Sequence, residues 1–293
     1  MQTVVAGANS ALGFEICRQL RAQSVPVIAL HRRNTGPELQ ALEALGCDLR
    51  PCDLAVDSAL ADVTPIGSRL VLVPILTTSG PPYRRLPAGH VRHAVLFSSN
   101  NVELDTGCPK YRAIREEEAA LATAGSAHIR VRPTMIYGHA QDGNVSRVMT
   151  LAKRSRVVPV PSYGQARCQP IHIEDLAALT VRLLHAEPQS EPVLAAGPSP
   201  LTMSELMRKI AHAAGPARLT LPIPIPLLRG IAAVAPLPLG ADQLARAKQD
   251  RVPASVPPVP GWKPRVDIDE GLRRLARLLD AGRTTPHFEN TSQ

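Results

Sequence analysis

The sequence predicts an α/β fold: a doubly wound parallel sheet followed by a smaller α+β region. Three observations carry that prediction. Short apolar runs alternate with helical patterns over roughly the first half of the chain, which is the sequence form of a parallel sheet. The first run breaks at Gly7, and a helical pattern starts near Leu12, so residues 4–14 read as strand, tight turn, helix. Apolar residues make up 44% of the 293 residues while aromatics make up 3%, so a large core must be built from Leu, Val, Ile and Ala.

The elements follow in order. Gly7 suits the turn because it lacks Cβ and tolerates positive φ. The first helix spans about 11–23, with Leu12, Ile16 and Leu20 at helical spacing. Gly13 lets that helix lie close to the strand, and the N–H groups and positive dipole of its first turn suit a pyrophosphate. A buried strand is expected at 25–30. A short helix at 38–45 carries Leu39, Leu42 and Leu45 on one face and stops at Gly46. Residues 47–54 read as the third strand and its exit, 69–73 as the fourth and 94–98 as the fifth. A helical segment at 116–124 is closed by Gly125, and a sixth strand at 128–132 ends at Pro133. Ligands of such a sheet bind at the carboxyl ends of its strands, near the topological switch point.

Beyond Tyr137 the pattern loosens. Helices are expected at 145–153, at 204–214, at 271–279 and after Asp175, where Leu176, Leu179, Leu183 and Leu184 recur. Pro159, Pro161 and Gly164 read as a loop. Residues 220–239 are very apolar, but Pro222, Pro224, Pro226, Pro236 and Pro238 argue against a membrane helix. That stretch reads as an apolar lip over a cleft or partner surface, or as packing against the main sheet. Residues 1–138, with a return at about 165–185, form the expected dinucleotide-binding domain. Residues 139–282 form most of a second, smaller region, and 283–293 a disordered tail.

The net charge of +8 and the pI near 9.7 suit an anionic ligand. The cations are scattered, with no basic helix interleaved with aromatics, which argues against nucleic-acid binding. Cys17, Cys47, Cys52, Cys108 and Cys168 are odd in number and lack CxxC spacing, as expected of reduced thiols in a cytoplasm. The strand, turn and helix begin within a few residues of Met1, so no signal peptide is expected before them. No His, Cys and carboxylate cluster has metal-site spacing, and His172 reads as a satisfied interior histidine.

Gly7 to Gly13, Cys52-Asp53-Leu54, Phe97-Ser98-Ser99, residues 131–138 (Val-Arg-Pro-Thr-Met-Ile-Tyr-Gly) and residues 170–176 together resemble the extended or atypical short-chain dehydrogenase/reductases, in the NAD-dependent epimerase/dehydratase group. The resemblance covers residues 1–184 well and the remainder loosely. Ser10 stands where that family's middle glycine usually sits. The resemblance implies a Rossmann domain holding NAD(P) under a small C-terminal substrate domain. It also implies oxidoreductase or epimerase activity on a carbinol or carbonyl substrate, with nucleotide-linked sugars a common class. A cofactor-binding sensor or assembly factor without turnover is the alternative, and a homodimer is compatible with either.

The cofactor contacts expected are Gly7, Asn9, Ser10, Ala11, Leu12 and Gly13 at the turn, Asp53 and Leu54 near the adenine, and Pro133 and Thr134 after the sixth strand. NAD enzymes of this kind place a carboxylate at the end of the second strand to bind the ribose 2′-OH. Here that place holds His31, Arg32 and Arg33, which suit a 2′-phosphate, so NADP is the first expectation and NAD the second.

The family's catalytic set is a Ser or Thr, a Tyr, and a Lys four residues after that Tyr. Ser99, Tyr111 and Arg115 match it, with Arg in place of Lys. Anchoring instead on Glu118, where the family has a Glu four residues past the Lys, puts Lys110 and Ile114 at the dyad positions. Both registers stay open. Asn144 is expected to cap the helix after it or to meet substrate, and Arg167 to face an anionic substrate group.

Overall fold

The computed structural model describes residues 1–32, 36–56, 59–124, 127–140, 142–216, 218–228 and 249–281. Arg33, Gly125, most of the apolar stretch (residues 229–239) and the tail 283–293 lie outside the described residues.

Seven strands form one parallel sheet: β1 (Thr3–Ala6), β2 (Val27–His31), β3 (Asp48–Pro51), β4 (Ser68–Ile75), β5 (Val91–Phe97), β6 (His128–Pro133) and β11 (Val193–Ala195). Their order is β11-β6-β5-β4-β1-β2-β3, so the chain reverses direction across the sheet between β1 and β4. Side chains alternate between the two faces. Val5, Ala29, Val71 and Val95 face α1 (Ala11–Ala22), α2 (Pro37–Ala44) and α8 (Ile173–Leu183). Val4, Ile28, Leu70 and Leu96 face α3 (Ala59–Val63), α4 (Leu76–Arg84), α5 (Asn101–Leu104) and α6 (Pro109–Thr123). Both faces are covered, as an all-parallel sheet requires.

A second core gathers Tyr137, Val148, Met149, Val158, Met207 and Leu272. It lies among α7 (Val145–Arg154), β8 (Val157–Pro161), α9 (Met203–Ala214) and α10 (Ile268–Ala281). Two-stranded pairings border it. β7 (Ile136–Tyr137) pairs with β10 (Ile171–His172), β9 (Arg167–Cys168) with β12 (Leu201–Thr202), and β8 with β13 (Leu219–Ile223). Asp175 ties the two cores together. Its carboxylate accepts from Arg265 N at 3.0 Å and Val266 N at 2.9 Å, just before α10 begins.

Six strands of the main sheet agree with expectation; the seventh, the three-residue β11, was not expected, and several other elements differ. α6 starts at Pro109, well before residue 116, because proline is pre-organised for the first helical turn. α4, for which no element was expected, contains Pro81 and Pro82; burial of Leu76, Pro82 and Tyr83 overrides the low helix preference of proline. Residues 157–161 are a strand where a loop was expected, and 219–223 are its partner. Leu219 N donates to Arg156 O at 2.8 Å. Alternation along the pair then turns positions 159, 161 and 222 toward the free edges, where proline has no ladder bond to lose.

Candidate functional site

The turn after β1 sits at the sheet's switch point. Gly7 has φ +74°, and a Cβ there would lie 3.0 Å from Pro74 Cδ, at the end of the neighbouring β4. A Cβ on Gly13 would lie 2.1 Å from Gly7 O, so only glycine lets α1 approach the turn this closely. Ser10 is buried and caps α1: its Oγ accepts from Gly13 N at 3.0 Å and donates to Gly7 O at 2.7 Å. Its side chain is therefore spent on the turn. Ala11 and Leu12 are buried too, and what they offer a ligand is backbone N–H, which a first helical turn leaves without intrahelical acceptors. Asn9 is half-buried on the same turn.

At the end of β2, His31 is buried and its carbonyl accepts from Cys52 N at 2.8 Å, while Arg32 is exposed. Asp53 is exposed, and its Oδ1 accepts from Ala55 N at 3.0 Å, so it holds its own turn. Leu54 packs on the sheet's second face. Pro133 is buried at the end of β6, and its carbonyl accepts from Asn100 N at 3.1 Å. The Thr134 hydroxyl donates to the Gln169 carbonyl and is committed there.

Ser99 and Tyr111 come together at the carboxyl end of β5 around Asn101. Asn101 N donates to Ser99 Oγ at 3.2 Å, and Asn101 Nδ2 donates to the Tyr111 hydroxyl at 2.9 Å. Arg251, from the far end of the chain, donates to Asn101 Oδ1 at 2.7 Å. One-turn α5 bridges the short span between Ser99 and α6. Tyr111 points inward, whereas Lys110 is exposed and Ile114 is sealed in the core. Arg115, one turn beyond Tyr111, has a buried Nη2 with no hydrogen-bond partner. Such an orphaned guanidinium donor fits a ligand oxygen. The glycine cradle and this donor both fit a nicotinamide dinucleotide.

Glu118 is committed elsewhere. Arg132 Nε donates to its Oε1 at 2.9 Å, Arg132 Nη2 bonds its other oxygen, and both side chains are buried. Burial alone would raise Glu118; the Arg132 guanidinium outweighs it and holds the carboxyl below its usual range.

Two expectations are corrected. Asn144 occupies the N-cap position of α7 but makes no side-chain cap bond. Asp142 caps instead, its Oδ1 accepting from Asn144 N at 3.0 Å and Ser146 N at 2.8 Å. His172 is only half satisfied: Nδ1 accepts from Glu174 N at 3.3 Å, but the buried Nε2 has no partner. A Cβ on Gly138, at φ +109°, would meet that nitrogen at 2.4 Å. Arg167 is exposed on β9, its backbone N bonded to Asp250 Oδ1 at 2.8 Å and its carbonyl to Arg251 N at 2.7 Å. Asn101 and Arg251 are the site residues that sequence reasoning missed.

No family model matches the chain. The curated UDP-glucose 4-epimerase of Vibrio cholerae is 23% identical over 178 residues, which are 60% of this chain and 54% of that relative. The chain thus spans about half the length of the curated relative it matches. Solved structures align along nearly the whole chain. A nucleoside-diphosphate-sugar epimerase from Pseudomonas aeruginosa has a TM-score of 0.75 at 18% identity, covering 96% of this chain and 98% of that one. UDP-glucose 4-epimerase from Thermus thermophilus, in complex with NAD, has 0.67 at 16%, covering 97% and 100%. UDP-glucuronic acid 4-epimerase from Bacillus cereus, in complex with UDP-glucuronic acid and NAD, has 0.68 at 11%, covering 96% and 99%. At these identities the likeness establishes architecture alone: a Rossmann-type parallel sheet with its glycine turn, shared with the epimerases named above.

Proposed function

We propose that the protein is a nicotinamide-dinucleotide-dependent epimerase or reductase acting on a carbinol or carbonyl substrate, with nucleotide-linked sugars the first class to test. The observation that carries this reading is the meeting of Ser99 and Tyr111 around Asn101, with the orphaned Arg115 donor one helical turn away. When bound, a nicotinamide supplies reversible hydride transfer at a carbinol carbon. Ser99 bonds the reacting oxygen, and Tyr111 gives or takes the proton at that oxygen. Arg115 places positive charge and donors where the family's Lys meets the ribose. Gly7 and Gly13 shape the cradle, and the Ala11 and Leu12 N–H groups face the pyrophosphate. We read residues 1–138 as the dinucleotide domain and most of 139–282 as the substrate subdomain. Arg167 and Asn144 then stand on the substrate side.

Two of the three solved neighbours named above, those from Thermus thermophilus and Bacillus cereus, are complexes with NAD, which favours NAD as the cofactor. The end of β2 favours NADP(H), because it offers no carboxylate to a ribose 2′-OH and leaves Arg32 exposed beside it. Five cysteines without a disulfide support a reducing compartment such as the cytoplasm. Among the described residues, no helix is long and apolar enough to cross a membrane. Arg115 in place of Lys favours a second reading, a dinucleotide-binding sensor or assembly factor without turnover.

Native mass spectrometry followed by calorimetric titration with both cofactors tests binding. A charge-assisted pair with a 2′-phosphate is worth about 1.5–3 kcal/mol, so a working Arg32 gives NADP(H) about tenfold or more in affinity. Equal affinities, or NAD preferred, dismiss that role. If neither dinucleotide binds, the whole reading fails. Tight binding with neither a nicotinamide absorbance change nor an epimerised product by chromatography, across nucleotide sugars and small carbonyl compounds, selects the sensor.

A further inference from the structure

The small sheet formed by β8 and β13 turns one face to the second core and the other to solvent. Val158 and Val160 are buried in that core. On the outer face Leu219 and Leu221 are 70% and 52% exposed, and Val157, opposite Leu219 in the register, is 41% exposed. Leu227, just past β13, is 57% exposed, and Tyr163, just past β8, is 62% exposed. A half-buried strand ordinarily turns polar side chains outward, and an apolar patch in their place marks an interaction site. Tyr163 sits at φ +61°, a costly conformation for a bulky residue, and stands exposed there.

The surroundings carry one sign of charge. Residues 143–173 and 206–228 contain no Asp or Glu. Arg154 and Arg156 stand exposed at the entry to β8. Arg218 stands at the entry to β13, its guanidinium bonded to the Ala152 and Pro216 carbonyls. Lys153 is paired with Asp280, which reaches in from α10.

We propose that this face docks the protein on an anionic lipid bilayer. The apolar side chains enter the boundary between headgroups and acyl chains, Tyr163 lies at headgroup level, and Arg154 and Arg156 meet lipid phosphates. Duplex nucleic acid is the poorer occupant, because the centre of the patch is aliphatic and offers bases little to stack on or bond. A second copy is also poorer, since a two-fold contact would set these cations against each other. The proposal stands independently of the dinucleotide reading.

Co-sedimentation of the full chain with large unilamellar vesicles tests it. Phosphatidylcholine alone is compared with phosphatidylcholine mixed with phosphatidylglycerol, at low and high salt. The protein is expected to sediment with the mixed vesicles only, and less at high salt. Leu219→Ser with Leu221→Ser, and separately Arg154→Glu with Arg156→Glu, should each lower binding by about tenfold or more. These positions are exposed, so the unfolding midpoint should hold, and it is measured alongside. A wild-type protein that stays in the supernatant overturns the proposal. So does a leucine pair that binds vesicles like wild type, or a wild-type protein that binds duplex DNA, titrated at the same salt, as strongly as the mixed vesicles. A dimer in sedimentation velocity that the leucine pair abolishes, without vesicle binding, assigns the face to a second copy and overturns it too.

Discussion

Gly13 tests the cradle with a single side chain. Its missing Cβ leaves room for the Gly7 carbonyl, and that neighbour is backbone, which cannot swing aside as a side chain can. Gly13→Val should therefore abolish dinucleotide binding in a calorimetric titration. A folded variant that binds normally would remove the cradle from the cofactor site. Tyr111→Phe tests the chemistry. The hydroxyl is the proton-transfer group, worth about 10²–10⁴-fold in rate, while the ring adds little to holding a dinucleotide. Turnover should collapse with cofactor affinity nearly unchanged, and unchanged turnover would show that Tyr111 is not the acid/base. Gly7, Gly13, Ser99 and Tyr111 were legible because spacing along one chain segment places them. Arg251 was not, since it meets Asn101 from 150 positions away. Neither was the loss of the Thr134 and Ser10 hydroxyls to neighbouring backbone, because a sequence lists donors and not where they are spent.

Elements were legible where one local preference dominated. β1 to β6 were found, most of them aliphatic runs buried on both sides, although β3 is partly exposed; the three-residue β11 was missed because so short a run carries no period of its own. β8 and β13 were missed because Pro159, Pro161 and Pro222 read as breaks, and only the pairing reveals that all three fall on free edges. Glu118 and Arg132 bind α6 to β6 in a way that no single element discloses. Removing Glu118 leaves Arg132 buried with the exposed Glu103 as its remaining carboxylate, and breaking such a pair costs up to about 3–5 kcal/mol. Glu118→Ala should lower stability by that amount in urea unfolding, whereas Glu118→Leu combined with Arg132→Met should restore most of it. If Glu118→Ala costs only a few tenths of a kcal/mol, the pair does not hold α6 to the sheet.

At the scale of the whole molecule, acid should loosen the fold. Burial pushes His172 and His139 down to about 4, from an ordinary value of 6.5. Asp175 and Glu15 pull His172 upward and Arg274 pushes it down, but burial prevails. A histidine whose folded value is depressed takes up its proton more readily in the unfolded chain. Its contribution to stability is intact above about 6.5 and is lost as the pH falls toward 4. Asp142 works the other way. Burial raises it to about 6 from 3.8, so between those values the folded chain holds a proton that the unfolded chain gives up. One carboxyl opposes two histidines, and each tenfold change in proton affinity on folding is worth about 1.4 kcal/mol. Stability should therefore fall, by a few kcal/mol at most, between about pH 6.5 and pH 4. His172→Asn isolates one group, since Asn keeps an acceptor for Glu174 N at the start of α8 but cannot titrate. Urea unfolding across this window should give a flatter curve for the variant than for the wild type. A variant curve as steep as the wild type's would show that His172 is not among the groups that refuse protons in the folded chain.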